Sequence, residues 1–560
     1  MGIYLNPGAE AFKEAINSEI FVDKTEMLVF LNSVVSTKQK YVSISRPRRF
    51  GKSMAADMIC AYYDREADSR ELFEKTKIAN SRRVETAVRP DNAYAAVDWD
   101  FYLGKFDVIR IVITDFIVAG NSIDDMLDYM TAELISDLTE SYPDVNYGKH
   151  INLRTVMSRI YERYKRQVVI VIDEWDAVFR MCKEDKEGQT RYLDFLRDWL
   201  KDKTYIALAY MTGILPIKKY GEHSALNMFT EYSMLAPRQF APFSGFTEGE
   251  VQELCEKYKM QYEEISSWYN GYVLSDRVPI EKREDYRNGA YNGHKVAIYS
   301  PLSVVEAMTS GIIRNYWNKT ETYEALAEFI RKDYDGLKEA VALLMDGGRL
   351  QIDTAAYQND MTTFHSRDDV LTLLIHLGYL GFDDERSEVF IPNREILDEF
   401  RTSTKSDEWI DTFKAFELSQ ELLKATWEKN ADQVANIIEQ AHNRAGNKTY
   451  NNEAALSYAV QYAYYAAQKY YTTILELDSG KGYADVVYLP SPKYPEKPVL
   501  LIELKYEKNV DTALAQIKRQ EYDARLEHYK GNILLVGINY LKGDNEASDF
   551  KHHSCTIERA

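Results

Sequence analysis

The segment QVVIVIDEWDA (167–177) limits the fold more than any other stretch of this 560-residue chain. Four consecutive apolar β-branched residues, Val168 to Val171, precede Ile172, and Asp173 and Glu174 follow. β-Branched side chains favour extended backbone. A run with no polar alternation is that of a strand covered on both faces, as in a parallel sheet between helices. YVSIS (41–45), FDVIRIVIT (106–114) and TYIALAYMTG (204–213) are similar runs, separated by helical stretches. Residues 1–235 therefore read as an α/β domain with a parallel sheet and helices on both faces.

The pattern then changes. Residues 236–400 read as mainly helical, with a polar loop near Arg277 to Lys295. VLTLLIHLGYLGFDDERSEVFIPN (370–393) predicts a helix leading into a short hairpin, as in a winged-helix-like module. Residues 401–445 read as a charged helical connector. In 446–560 a long helix (452–470) precedes three strand-like runs, TTILELD, ADVVYLP and PVLLIELKY. A helix from Thr512 to Tyr529 and the strand NILLVGINY complete an αβββαβ order.

Composition narrows the function classes. With 45% apolar residues the chain can bury a core, which excludes a disordered protein. A net charge of −19 excludes binding of nucleic acid through the overall field, so any such contact needs a local basic groove. Cys60, Cys182, Cys255 and Cys555 form no CxxC pair, which argues against a disulfide framework or structural zinc and suits a reducing cytoplasm. The start has no basic-then-apolar export pattern, and the longest charge-free apolar stretch, Tyr205 to Ile217, is shorter than the ~20 residues a spanning helix needs. The expectation is a soluble cytoplasmic protein with no membrane role. His552, His553 and Cys555 fit no tetrahedral zinc spacing and read as a frayed, solvated tail, and His223 and His376 have no Ser or Cys arranged for nucleophilic catalysis.

Two constellations carry chemistry. In YVSISRPRRFGKSM a strand runs into a loop that ends in Gly51-Lys52-Ser53 at the head of a helix. This is the second half of a P-loop: helix N-terminal amides wrap a phosphate, Lys52 reaches the terminal phosphates and Ser53 ligates Mg²⁺. Gly51 lets the backbone approach closely. Arg46 stands where the usual pattern has its first Gly. Asp173 and Glu174, at the carboxyl end of a buried strand, lie where open α/β sheets bind ligands. Asp173 would hold the Mg²⁺ shell and Glu174 would orient or deprotonate the attacking water. Thr212 ends another strand and would sense the γ-phosphate. Arg46, Arg48 and Arg49 either bind phosphate or brace acids, and spacing does not say which.

The second constellation is GYADVVYLPSPKYPEKPVLLIELKY. Strand alternation puts Val499, Leu501, Glu503 and Lys505 on one face. A Pro-rich turn can bring Asp485 alongside Glu503. Two carboxylates and the Leu504 carbonyl offer hard oxygens to Mg²⁺, and Lys505 would position water and offset developing charge. The bland alternative is a Glu–Lys pair on an edge strand.

VDKT (22–25), SRPRRFGKS (45–53), VIDEWD (171–176), MTG (211–213), SGFTEGEV (244–251) and WYNGY (268–272), in this order, resemble the bacterial AAA-ATPase-like family. The resemblance implies ATP as ligand of the whole loop Arg46, Pro47, Arg48, Arg49, Phe50, Gly51, Lys52 and Ser53, and it accommodates Arg46. It also implies that Asp23 and Lys24 lie near the nucleotide. Trp175 stands where the family more often has Tyr, and LNMFTEY (226–232) matches loosely. Asp485 with Glu503-x-Lys505 resembles the PD-(D/E)XK nuclease fold that commonly closes such chains. This implies a role for Gln516 and Tyr522 in the following helix, makes Glu453 a further available acid, and finds Ala484 in place of the nominal Pro. Lys505, Lys508, Lys518, Arg519 and Arg525 would line a groove for DNA or RNA. An Mg²⁺-dependent ATPase joined to a nuclease, with an oligomer compatible, is the first reading. An ATP-dependent switch or scaffold that binds a partner or nucleic acid without cutting is the second.

Overall fold

The computed structural model describes residues 2–80, 98–149, 151–217, 226–290, 293–317, 336–358, 364–405, 409–445, 453–478, 483–507, 526, 529, 531–541 and 552–560. The chain divides into two compact units, 1–322 with 352–399, and 323–351 with 400–560.

The first unit is built on the predicted sheet. Its strands are β1 (Tyr41–Ser45), β2 (Asp107–Val112), β3 (Val168–Asp173), β4 (Ile206–Gly213) and β5 (Thr230–Tyr232), in the order β2-β3-β4-β1-β5. All are parallel. Every residue of β1, β3 and β4 is buried, as the unbroken apolar runs require. The helix Lys52–Tyr63 follows β1 directly and lays Ile59, Tyr62 and Tyr63 into a core with Val42, Val108, Val169 and Val171. The chain leaves β1 for β2 on one side and passes from β4 to β5 on the other. Such a reversal opens a crevice at the carboxyl ends of the strands.

The stretch read as mainly helical with a polar loop also holds a small antiparallel sheet. It is made of β6 (Phe246–Thr247), β7 (Tyr272–Ser275) and β8 (Lys295–Tyr299), in the order β6-β8-β7. Strands of two to five residues are too short for a period to show in sequence. The helix Glu248–Tyr258 starts at a capping box in which the Thr247 N–H donates to Glu250 at 2.7 Å. β9 (Leu350–Gln351) belongs to the second unit. The predicted helix and hairpin are present in the first: Arg367–Leu377 leads to β10 (Gly381–Asp383) and β11 (Glu388–Phe390), paired antiparallel.

The second unit packs the helices Ile410–Trp427, Ala431–Ala445 and Glu453–Ala463 on a mixed sheet. Its strands are β12 (Tyr471–Asp478), β13 (Tyr483–Pro490), β14 (Val499–Tyr506), β15 (Ile533–Tyr540) and β16 (His553–Arg559), side by side in chain order. β14 and β15 are parallel and the other neighbours antiparallel. Leu500, Ile502 and Leu504 face the helices, while Val499 and Leu501 join Val487, Ile533 and Leu535 in a second core on the other side. The helix read over Thr512 to Tyr529 lies almost wholly outside the described residues; Leu526 is buried in that second core.

The C-terminal segment is not the frayed tail expected. β16 pairs with β15 from Tyr540↔His553 to Leu534↔Arg559. Cys555 and Ile557 alternate inward, and the buried His553 ring bonds Glu439 at 2.6 Å. The period of two was present in HSCTIER, but its inward residues are too mixed in polarity to announce a strand.

Candidate functional site

The loop after β1 turns through two left-handed residues, Arg49 at φ 66° and Gly51 at φ 80°. Gly51 caps the helix Lys52–Tyr63 with no side-chain acceptor on its first amides. A Cβ at Gly51 would meet nothing within 4 Å, so it is the backbone angle that asks for glycine. Gly51 and Ser53 are exposed at this helix head, which leaves the amides open to an anion. Lys52 Nζ folds back onto the carbonyls of Arg46 at 3.0 Å and Pro47 at 2.7 Å. Burial pulls the Lys52 ammonium down to about 8, against the opposing pull of Asp176 and Asp173.

Three loop residues face elsewhere. Arg46, expected at the phosphate, is fully buried, and its Nη1 donates to the carbonyls of Ser45 and Tyr232 at 2.8 Å each. It braces β1 against β5, and burial lowers it to about 10. Phe50 is buried edge-on against Tyr272, 5.6 Å between ring centres. Pro47 is buried too, and a Cβ at Gly378 would come within 2.9 Å of its ring. Arg48 is half-buried and Arg49 exposed. The WYNGY motif thus supports the loop from behind, and Tyr272 also donates to the Gly378 carbonyl at 2.5 Å. Lys24 donates to Glu250 at 2.6 Å and to the Pro242 carbonyl at 2.7 Å, and Asp23 accepts from Thr25 and from the Lys77 N–H. The VDKT and SGFTEGEV motifs therefore hold each other.

Opposite the loop, Asp173 ends β3. It is 1% exposed, and its carboxyl is pushed up by burial, with the Ser53 hydroxyl and Lys52 pulling the other way. Glu174 follows at φ 52°, an uncommon angle for a residue with a side chain, and is partly exposed. Two neighbours that the sequence reading passed over fix this corner. Asp176 is buried and accepts from the Ile214 and Leu215 amides at 3.2 and 2.9 Å, just past β4. Arg180 spans Asp176 at 3.1 Å and Glu174 at 3.3 Å. Their spacing of four in DAVFR was the available signal. Thr212 lies fully buried on β4, between β3 and β1, and its Oγ1 has no hydrogen-bond partner among the described residues. A Cβ on Gly213 would fall 2.6 Å from Asp176 and 2.7 Å from the Trp175 ring.

In the second unit, β13 and β14 pair antiparallel with Val486 opposite Ile502. One step further, Asp485 and Glu503 stand side by side on the face that also carries Val487 and Leu501. The Leu504 N–H donates to Asp485 Oδ2 at 2.6 Å, so the aspartate reaches across to the next strand. Lys505 Nζ donates to Glu503 Oε1 at 2.6 Å, and the two residues are 6% and 1% exposed. β14 is a central strand, which removes the edge-strand alternative. Gln516, Lys508, Lys518, Arg519, Tyr522, Arg525 and His223 lie outside the described residues, as does the side chain of Glu453.

Residues 7–221 match the family model described as a predicted AAA-ATPase, and residues 451–546 match the PD-(D/E)XK nuclease superfamily. The chain carries both domains. A protein of Azotobacter chroococcum mcd 1, named as an uncharacterized protein in the vnfD 5′ region, is 22% identical over 324 residues, 55% of this chain and 52% of that one. The chain thus spans about half the length of that curated relative. The solved structure of the Aeropyrum pernix ORC2 protein in its ADPNP and ADP complexes covers 71% of this chain and 99% of its own at 9% identity, with a TM-score of 0.26. At that score the likeness carries no argument.

The AAA-ATPase-like domain offers a divalent cation the Ser53 hydroxyl at the helix head and the Asp173 carboxylate at the end of β3. The PD-(D/E)XK domain offers the adjoining carboxylates of Asp485 and Glu503, hard donors suited to Mg²⁺. Among the described residues no cluster of three or more His, Cys, Asp or Glu is arranged for a metal, so water would complete either shell. Among the described residues, no helix is long and apolar enough to cross a membrane.

Proposed function

We propose that the chain is an Mg²⁺-dependent ATPase whose nucleotide state governs a metal-dependent nuclease acting on DNA or RNA. The observation that carries the reading over a non-cutting scaffold is the buried Glu503–Lys505 pair on the central strand β14, with the half-buried Asp485 beside it on β13. A buried Glu–Lys pair is costly to keep for stability alone. In the ATPase domain, Lys52 leaves the loop carbonyls to neutralise the terminal phosphates, with Arg48 and Arg49 as further cations on the loop. Ser53 and Asp173 hold the cation. Glu174 orients water and accepts its proton. Thr212 presents its hydroxyl to the γ-phosphate. Arg46, Pro47 and Phe50 act through loop shape.

In the nuclease domain, Asp485 and Glu503 hold a divalent cation, which supplies charge neutralisation at the phosphodiester. Lys505 orients the attacking water and stabilises charge developing on phosphate oxygens. Gln516 supports the same site. The test is plasmid nicking with Mg²⁺ or Mn²⁺, with and without ATP, by wild type, Lys505→Ala and Lys52→Ala. Metal-dependent nicking that Lys505→Ala abolishes, and whose ATP response Lys52→Ala removes, supports the reading. No metal-dependent nicking by wild type under any nucleotide condition would leave the scaffold reading.

A further inference from the structure

β15 is buried along its whole length, and ILLVGINY holds one polar side chain before its final tyrosine, Asn539. Asn539 is 1% exposed. Its face is fixed by its neighbours. Ile533 and Leu535 share a core with Val499 and Leu501, so Gly537 and Asn539 continue that face as Glu503 and Lys505 do on β14. The register pairs Glu503 with Gly537 and Lys505 with Asn539. On β16 it pairs Gly537 with Thr556 and Asn539 with Ser554. Lys505, Asn539 and Ser554 therefore form one polar row across three strands. With strands about 4.8 Å apart, Ser554 lies about 10 Å from β14.

We propose that Asn539 and Ser554 form a phosphate subsite that extends the Asp485–Glu503–Lys505 site across β15 and β16. The Asn539 amide and the Ser554 hydroxyl donate to oxygens of a phosphate flanking the one that is cut, and so set the register of the nucleic-acid strand on the sheet. The proposal rests on the phosphodiester reading of Asp485, Glu503 and Lys505. Gly537 puts no side chain between the row and Glu503. Both donors are neutral, so the subsite positions the strand without adding to its electrostatic attraction.

The test is fluorescence anisotropy of labelled DNA and RNA oligonucleotides of one sequence, with Ca²⁺ in place of Mg²⁺ to prevent cleavage. It is run on full-length wild type, Asn539→Ala and Ser554→Ala. Each variant is expected to lose about tenfold in affinity, as for a hydrogen bond to a charged group. The slope of affinity against salt is expected to hold, because no cation is removed. An oligonucleotide with a methylphosphonate beside the cleavage position should bind wild type and variants alike; a merely structural asparagine would not cancel in this way. The DNA and RNA arms show which backbone the subsite serves. Ser554 is half-buried on the last strand, so Ser554→Ala decides if Asn539→Ala fails to fold. Weakened binding in the variants without cleavage by wild type would sink the nuclease reading and leave the subsite standing. Unchanged binding in both folded variants, or no oligonucleotide binding by wild type, overturns the subsite. If wild type then still cleaves and Asp485→Asn does not, the nuclease reading survives alone.

Discussion

Lys52 is the residue on which the proposed ATP site turns. Burial lowers its pKa from 10.5 to about 8. A lowered lysine favours its neutral form in the fold. The stability this contributes is full above 10.5 and lost as pH falls through 8, so near neutrality the buried charge is a cost. Polyphosphate reverses the preference, because the ammonium then faces an anion. ATP binding near pH 8.5 should therefore take up a proton, and affinity should fall by up to about tenfold per pH unit above pH 8. Calorimetry in buffers of different ionisation enthalpy reads both. Lys52→Arg, charged throughout, should flatten the profile; a flat wild-type profile between pH 7 and 9.5 would mean that Lys52 does not meet the phosphates. Glu174 makes a separate prediction. Glu174→Gln should bind ATP as wild type does and hydrolyse it about 10²- to 10⁴-fold more slowly. Hydrolysis at the wild-type rate would leave Glu174 only its contact with Arg180.

At the scale of elements, the end of β4 and the corner after β3 are one packed unit. Gly213 leaves no room for a Cβ beside Asp176 and Trp175, so Gly213→Ala should destabilise by about 1–3 kcal/mol, read as a lower denaturation midpoint at unchanged slope. Asp176→Ala removes the acceptor of two amides and of Arg180, and should cost about 3–5 kcal/mol. A stable Asp176→Ala protein would show that Arg180 and the β4 end are held otherwise. These contacts explain what the sequence could and could not disclose. β1, β3 and β4 were legible because strands covered on both faces have no polar alternation to obscure them. Glu503 and Lys505 were placed on one face by the period of a strand alone, and Asp485 was brought to them only by the Pro-rich turn between the two strands. Arg46 was not legible: a cation in a phosphate loop looks like a ligand, and only the fold shows its guanidinium on the Tyr232 carbonyl, 186 residues away. Asp176 and β16 were missed for related reasons, since their partners are distant and their local patterns are mixed.

For the whole molecule, the proposed function couples nucleotide binding to phosphodiester cleavage in one chain. If nucleotide state governs the nuclease, Lys52→Ala should alter the ATP dependence of nicking while leaving its requirement for Asp485 intact. The most direct test is plasmid nicking by wild type against Asp485→Asn across an Mg²⁺ or Mn²⁺ titration. Asn keeps the shape of Asp485 and removes the charge that holds a cation. The proposed nuclease site requires metal-dependent nicking by wild type and a loss of at least about 10²-fold in Asp485→Asn, partly recovered at high metal concentration. Equal nicking by the two proteins, or none by wild type at any metal concentration, would contradict it.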